Sequence, residues 1–249
     1  MKISIICVHN NEQSFESMLN KSLKNQNIEF ELIALNNSNK EFSSAAKALN
    51  HGAEIASGDI LIFSHQDVYI KEVDGIEKLA KAIEKTDVGD IVGVVGVREK
   101  SKIYYSNLTD GPQYDERIIE SYKENELIEV SSIDEVMFGM KKDTWLEHRF
   151  DENLCDNWHL YAVEQSLYAR KHGHHVLVCP IQLHHFSHGT ITISYMNGLR
   201  RLCEAYHDDF KYIWTTCYKV RTNKFYINTL IQIWVFNRKI HGRELGENK

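Results

Sequence analysis

Three polar residues follow an apolar stretch in the first third of the chain. Residues 60–63 read Ile-Leu-Ile-Phe, and His65, Gln66 and Asp67 come after one serine. The apolar stretch predicts a buried strand, and the carboxyl ends of such strands are where α/β sheets bind ligands and cations. A carboxylate there can bind Mg²⁺ or Mn²⁺. We therefore predict that Asp67 is a metal ligand; the alternative is a helix-capping or loop carboxylate.

The elements that must position these residues alternate along the chain. Short apolar runs predict strands, and helical spacing predicts helices between them. The predicted strands cover residues 3–8, 30–35, 60–63, 91–97, 136–140 and 176–179, and the predicted helices cover 13–24, 43–56, 71–85 and 158–171. This order predicts an α/β fold with a mostly parallel sheet flanked by helices. Residues 102–129 are expected to form an irregular hairpin or loop, and the chain beyond residue 188 is expected to be helical.

The helix before the Asp67 strand carries small residues in a specific order. Residues 46–52 fit the pattern A-x-x-x-N-x-G, and residues 56–58 fit A-x-G. With the His65-Gln66-Asp67 string as a variant of D-x-D, this order resembles a GT-A-type glycosyltransferase, family 2-like. The resemblance implies a Rossmann-type nucleotide-sugar-binding and catalytic domain over residues 1–190. Residues 191–249 would form a helical, basic and aromatic extension packed on or beside it.

The same resemblance implies a divalent cation, Mn²⁺ or Mg²⁺, that neutralises the charge of a departing diphosphate. GT-A-type enzymes often complete their metal site with a late histidine, which makes His185 the second predicted ligand, with His184 and His188 as alternates; a polar loop is the other interpretation. Imidazole suits Mn²⁺ better than Mg²⁺. His65 would ligate the metal or form a hydrogen bond to a ribose or phosphate. Gln66 is also predicted to contact the nucleotide sugar.

The nucleotide is expected across the tips of the first two strands. His9 and Asn11 follow the first strand, and Asn36 ends the second. Asparagine amides can hydrogen-bond a uracil edge, although they are also ordinary turn formers. Asn50, within the A-x-x-x-N-x-G pattern, would hold the base or position the neighbouring loop.

Sugar transfer to a hydroxyl group also needs a base. Residues 150–152 resemble the F-D-E segment of the family, which precedes a helix that starts with acids in relatives. Here Ala162 occupies one of the acid positions, so the predicted base is Glu164, or Asp156 from just before the helix. A solvated helix face and a helix cap are the respective alternatives. His159 could assist either carboxylate.

These expectations describe a glycosyltransferase that moves a sugar, first of all from a UDP-sugar, to a hydroxyl of a saccharide or lipid-linked saccharide. The resemblance suggests surface polysaccharide or lipid-linked oligosaccharide synthesis and inversion at the anomeric carbon. Asp134 and Glu135 could face the acceptor or form a turn. The alternatives are a metal-dependent hydrolase or nucleotidyltransferase, and a nucleotide-sugar-binding domain without activity. Neither a P-loop nor a G-x-G-x-x-G motif after the first strand is present.

The charge is distributed unevenly. Residues 211–243 contain seven Lys or Arg and no Asp or Glu, while the whole chain has a net charge of −6, so the rest carries about −13. No nucleic-acid partner is expected. Aromatic residues share the basic segment, a mixture that suits phospholipid headgroups or a lipid-linked substrate. The alternative is a helical pair that packs its aromatic rings on the core and leaves its cations solvated.

The cysteines and the hydropathy indicate the compartment. Five cysteines, irregularly spaced, fit neither a disulfide framework nor a zinc ribbon, so a reducing cytoplasm is expected. No run reaches the roughly 18 to 20 apolar residues of a membrane helix. A cytoplasmic or peripheral location at the inner face of the membrane is predicted, and the oligomeric state is left open.

Overall fold

The computed structural model describes residues 1–99, 104–111, 126–187 and 191–241. Its strands are β1 (Ile3–His9), β2 (Glu31–Asn36), β3 (Ile60–Ser64), β4 (Val68–Ile70), β5 (Ile91–Gly93), β6 (Val95–Val97), β7 (Tyr104–Asp110), β8 (Ile128–Glu129), β9 (Ser132–Ile133), β10 (Met137–Lys141), β11 (Val176–Val178), β12 (Gln182–His185), β13 (Tyr212–Trp214) and β14 (Lys219–Arg221). Its helices are α1 (Glu12–Ser17), α2 (Leu19–Leu23), α3 (Ala45–Ile55), α4 (Gly75–Glu84), α5 (Lys142–Glu147), α6 (Tyr161–Lys171), α7 (Ile193–Ala205) and α8 (Lys224–Ile240).

The central sheet has the strand order β2-β1-β3-β10-β5-β11-β8. β1 is parallel to both β2 and β3, and β11 is parallel to β5. β10 runs antiparallel between β3 and β5, and β8 is antiparallel at the edge. All five residues of β3 are buried, as expected for a strand covered on both faces. The predicted α/β fold with a mostly parallel sheet and flanking helices is confirmed.

The small residues of α3 and of the turn after it allow close packing on β1. A Cβ atom at Gly52 would lie 2.5 Å from Cγ2 of Ile6, and one at Gly58 would lie 2.6 Å from the backbone nitrogen of Ser4. Only glycine fits at these distances. The approach keeps β3 beside β1, so both strands deliver the residues at their carboxyl ends to the same edge of the sheet.

Several predicted elements differ from the observed ones. The apolar run at residues 91–97 is two strands, because the chain leaves the central sheet after β5 and β6 joins a second sheet of order β4-β12-β7-β6-β9. The predicted helix at 13–24 is two short helices, since Met18 has non-helical angles (φ −115, ψ −85). The predicted helix at 71–85 begins only at Gly75. Within the predicted insert, β7 and β8 are strands, and residues 112–125 lie outside the described residues.

The prediction that the chain beyond residue 188 is helical agrees with α7 and α8 but is wrong for residues 212–221. A hairpin of β13 and β14 separates α7 from α8. The Thr215 hydroxyl explains the turn, because it accepts hydrogen bonds from the backbone N–H groups of Cys217 and Tyr218. An apolar cluster joins this region to Leu160, Val163 and neighbouring residues of α6. None of the described helices is both long enough and apolar enough to cross a membrane.

Candidate active site

A cavity of about 820 Å³ opens at the carboxyl edge of the central sheet. Its walls come from the tips of β1 and β3, the loop after β2, the start of α3 and the segment that leads into α6. His9, His65, Asp67 and His159 are among the lining residues. The volume is typical of small-molecule sites, and its position follows the general rule for open α/β sheets.

His65, Asp67 and His185 form a cluster that can hold a cation. One potential ligand atom from each residue lies within 4.8 Å of the others. His65 and Asp67 follow β3, whereas His185 ends β12, which pairs with β4 directly after Asp67. The backbone N–H of Phe186 donates to the carbonyl of Asp67 at 3.0 Å and fixes this approach. Two imidazoles and one carboxylate suit a borderline cation such as Mn²⁺.

Asp110 orients His185 within this cluster. Nδ1 of His185 lies 3.1 Å from a carboxylate oxygen of Asp110, and Nε2 lies 3.4 Å from Asp67. Donation from Nδ1–H to Asp110 leaves the Nε2 lone pair for a metal, which is the usual arrangement behind metal-bound histidines. The residues therefore fit a divalent cation. Nothing in the sequence indicated Asp110, because its place beside His185 depends on the parallel pairing of β7 with β12.

The pKa values in the cluster reflect its charges without a cation. Burial would lower the pKa of His185, but its hydrogen bonds to Asp110 and Asp67 raise it to about 10. Burial would raise the pKa of Asp67, but the hydrogen bond and charge of His185 hold it well below its usual range. For His65, burial and the charge of His185 lower the pKa to about 4. A bound cation would replace the proton on His185, since ligation requires the neutral imidazole.

The predicted nucleotide contacts divide into two groups. His9 and Gln66 line the cavity together with His65. The His9 ring stacks on Phe15 with centroids 4.6 Å apart. Gln66 Oε1 accepts hydrogen bonds from the backbone N–H groups of Asn10 and Asn11, both at 3.0 Å. Gln66 therefore holds the loops after β1 and β3 together at the cavity wall.

The three predicted asparagines have local structural contacts instead and are not among the lining residues. The side chain of Asn11 caps α1 by accepting from Ser14, and that of Asn36 accepts from the Ser38 backbone. Asn50 is buried, where Oδ1 accepts from the Trp145 indole and its amide nitrogen donates to a backbone carbonyl. Asn37, which directly follows Asn36 at the tip of β2, does line the cavity. Its side chain braces the following loop by hydrogen bonds to the Phe42 backbone.

Neither predicted base lies at the cavity wall. Glu164 is 1% exposed; it accepts a hydrogen bond of 2.6 Å from the Tyr206 hydroxyl and lies 3.1 Å from Nε2 of His148. Asp156 is 55% exposed and pairs with Arg201. Glu164 lies inside the α6–α7 packing, and Asp156 faces an arginine at the surface.

His159 does lie at the cavity wall, whereas Asp134 is not among the lining residues. His159 lines the cavity, and its ring packs edge-on against Tyr195 with centroids 5.5 Å apart. Burial lowers the pKa of His159, and the charge of Asp134 partly offsets this. Asp134 accepts a 2.5 Å hydrogen bond from Thr216 in the β13–β14 turn. Burial and the charge of Asp134 raise the pKa of the adjacent Glu135 to about 8.

Comparison with known proteins shows the family of this chain and the fold that it shares with solved structures. The sequence profile described as a glycosyltransferase-like family matches residues 4–206, so the chain belongs to that family. No curated protein sequence gave a significant match. The fold is similar to that of GalNAc-T7, solved with UDP, GalNAc and Mn²⁺, with a TM-score of 0.58, 12% identity, and coverage of 84% of this chain and 48% of that one.

Two structures of S. aureus TarS show the same similarity. For one, the TM-score is 0.54 at 16% identity, with coverage of 87% of this chain and 41% of that chain. For TarS 1-349 in complex with UDP-GlcNAc, the TM-score is 0.54 at 14% identity, with coverage of 96% and 72%. The chain thus spans about half the length or less of the first two structures. At these identities the similarity shows a shared fold.

Proposed function

We propose that this chain is a metal-assisted glycosyltransferase that moves a sugar from a nucleotide diphosphate to a hydroxyl group. The observation that carries the proposal is the cluster of His65, Asp67 and His185 at the edge of the cavity. A UDP-sugar is the first donor to test, because the similar folds were solved with UDP or UDP-GlcNAc. The proposed acceptor is a saccharide or lipid-linked saccharide, in polysaccharide or lipid-linked oligosaccharide assembly.

The donor would lie along the carboxyl edge of the sheet. The nucleotide end fits between the tips of β1 and β2, where His9 and the loop braced by Asn37 form the wall. Lys40 adds a positive charge to the lining. His65, Asp67 and His185 would hold Mn²⁺ or Mg²⁺, and that cation supplies charge neutralisation for the departing diphosphate.

His159 is the proposed base. Its pKa is lowered by burial, so the imidazole is neutral near pH 7 and can accept a proton. The acceptor oxygen would lose its proton to His159 while it bonds to the anomeric carbon, and the bond from that carbon to the diphosphate would break with its electron pair. The negative charge of Asp134 would stabilise the imidazolium that forms. A single displacement of this kind inverts the anomeric centre.

Calorimetric titration tests the donor and the cation together. The purified chain would be titrated with UDP, GDP, CDP and ATP, each with and without Mn²⁺, and with Asp67→Asn and His185→Gln variants. Asp208→Asn and His207→Gln are matched controls, because both residues are exposed and absent from the cavity lining. We expect Mn²⁺-dependent binding of one diphosphate that both cluster variants lose and both controls keep.

Product analysis with the selected nucleotide sugar then separates the functions. Transfer to an added saccharide supports the proposal. Rapid release of free sugar with no transfer to any saccharide would favour the hydrolase alternative, and tight binding without turnover would favour a binding domain. Absence of nucleotide binding under all conditions would overturn the proposal.

A further inference from the structure

Helix α8 has two apolar faces, and among the residues that the structure describes only one of these faces has packing partners. Ile227 is fully buried, and Leu230, Ile231 and Trp234 pack against the same cluster. On the other face, the exposed fractions are 81% for Phe225, 53% for Ile233, 63% for Phe236 and 60% for Ile240. At 3.6 residues per turn these four side chains fall within a sector of about 80° and a length of about 22 Å. We name them the α8 stripe.

The α8 stripe is not an ordinary solvated surface. Single exposed apolar residues are common, but a helix on the surface of a domain normally turns polar side chains to water. Thr229, the polar residue inside the sector, donates its hydroxyl to the carbonyl of Phe225 at 2.9 Å. Its polar group is therefore satisfied within the helix, and the stripe is apolar along its length.

Cations lie near both ends of the α8 stripe. Lys224 is at the start of α8 and Lys239 at its end, and both are exposed. Lys219 and Arg221 are exposed on β14, which contacts α8. Residues 211–243 contain no Asp or Glu at all, in a chain with a net charge of −6. The stripe therefore has a cation near each end, Lys224 and Lys239, and belongs to a segment without acidic residues.

We infer that this surface docks on an anionic lipid bilayer. An apolar stripe that enters the headgroup region, bordered by cations that meet lipid phosphates, is the pattern of interfacial helices. A second copy of the chain is a poorer occupant, because a twofold contact through this face would bring the same cations against one another. The inference uses no residue of the cavity and does not depend on the proposed function.

Vesicle sedimentation with the full chain tests the inference. Vesicles of phosphatidylcholine with 30% phosphatidylglycerol would be compared with pure phosphatidylcholine at low and high salt. We expect binding to the anionic vesicles that salt weakens, and at least about tenfold weaker binding for Phe225→Ser with Phe236→Ser. Lys224→Glu with Lys239→Glu should have a similar effect. Val73→Ser with Leu146→Ser is the matched control, since both side chains are exposed elsewhere, at 61% and 53%.

The possible outcomes are distinct. Because the four stripe side chains are exposed, the variants should keep the melting temperature of the parent, which circular dichroism checks. No binding to anionic vesicles, or equal binding by the stripe and control variants, would overturn the inference. A dimer in analytical ultracentrifugation that the stripe variants dissociate would also overturn it, in favour of a second copy. Nucleotide titration of the same variants reports on the cavity separately.

Discussion

Replacing Glu164 by glutamine distinguishes a catalytic base from a carboxylate with a structural role. The side chain is 1% exposed, and its carboxylate contacts the Tyr206 hydroxyl at 2.6 Å and His148 Nε2 at 3.1 Å. The residue lies inside α6 and does not line the cavity. We expect Glu164→Gln to lower the stability of the fold and to leave sugar transfer intact.

The size of the stability loss follows from the two contacts. A glutamine oxygen can still accept the Tyr206 hydroxyl, so that bond is retained without its ionic component. The contact with His148 loses its ionised acceptor, and a hydrogen bond to a charged group contributes about 1.5–3 kcal/mol. For a chain of this size each kcal/mol corresponds to about 2–4 °C in melting temperature. We therefore expect melting to fall by about 3–12 °C.

The assay combines thermal unfolding with turnover measured well below both melting temperatures. We expect kcat per folded molecule to stay within about twofold of the parent, because a base normally contributes about 10²–10⁴-fold and this residue is not expected to be one. Glu204→Gln on the exposed face of α7 is the matched control and should change neither quantity. A loss of kcat of about 100-fold with an unchanged melting temperature would refute the reasoning and restore Glu164 as the base.

Three further predictions follow from contacts elsewhere. His159→Gln should reduce kcat by about 10²–10⁴-fold with unchanged UDP affinity. The rate of the parent protein should fall only below pH 6.5, since burial lowers the pKa of this base. Equal kcat in both proteins would exclude His159 as the base. Asp110→Asn should weaken Mn²⁺-dependent UDP binding by about 10–100-fold in calorimetry while metal-free binding is unchanged. The hydrogen bond from the Ser4 hydroxyl is the largest cause of the lowered pKa of Glu31. This contact therefore stabilises the fold above pH 4.5, and its contribution is lost as the pH falls towards the lower pKa of the folded state. Urea midpoints of Glu31→Gln should therefore depend less on pH between about 5 and 3 than those of the parent.

The parts of the fold that sequence predicted are those with a continuous local signal. β1 and β3 are mostly apolar and almost entirely buried because both faces are covered, and the small residues of α3 mark the close contact with β1. The second sheet had no such signal. Residues 91–97 are apolar throughout, but the run does not show that the chain changes sheets at Val94, whose N–H donates to the carbonyl of Met137.

In the candidate site, too, some residues had a local sequence signal and others did not. His9, His65 and Asp67 end or directly follow strands, so a tip position was enough to place them at the cavity. The asparagines at neighbouring positions were equally plausible by that rule, but Asn11 and Asn36 bond to the nearby backbone, which is the usual competing role of this residue type. Asp110 reaches the cluster through the pairing of β7 with β12, two strands distant in sequence, which no local pattern records.

The surroundings of Ala162, where the family resemblance led us to expect an acid, bear on the choice of base. Ala162 is fully buried in an apolar cluster with Phe150 and Trp145, where an ionised carboxylate would be costly. Leu160, just before α6, has the left-handed angle φ 69°, which is strained for a residue other than glycine. This reversal lets α6 turn Ala162 into the core while His159, on the other side of it, lines the cavity. An alanine inside the helix and an imidazole before it both suit this local conformation, so the lack of an acid at Ala162 does not by itself indicate an inactive domain.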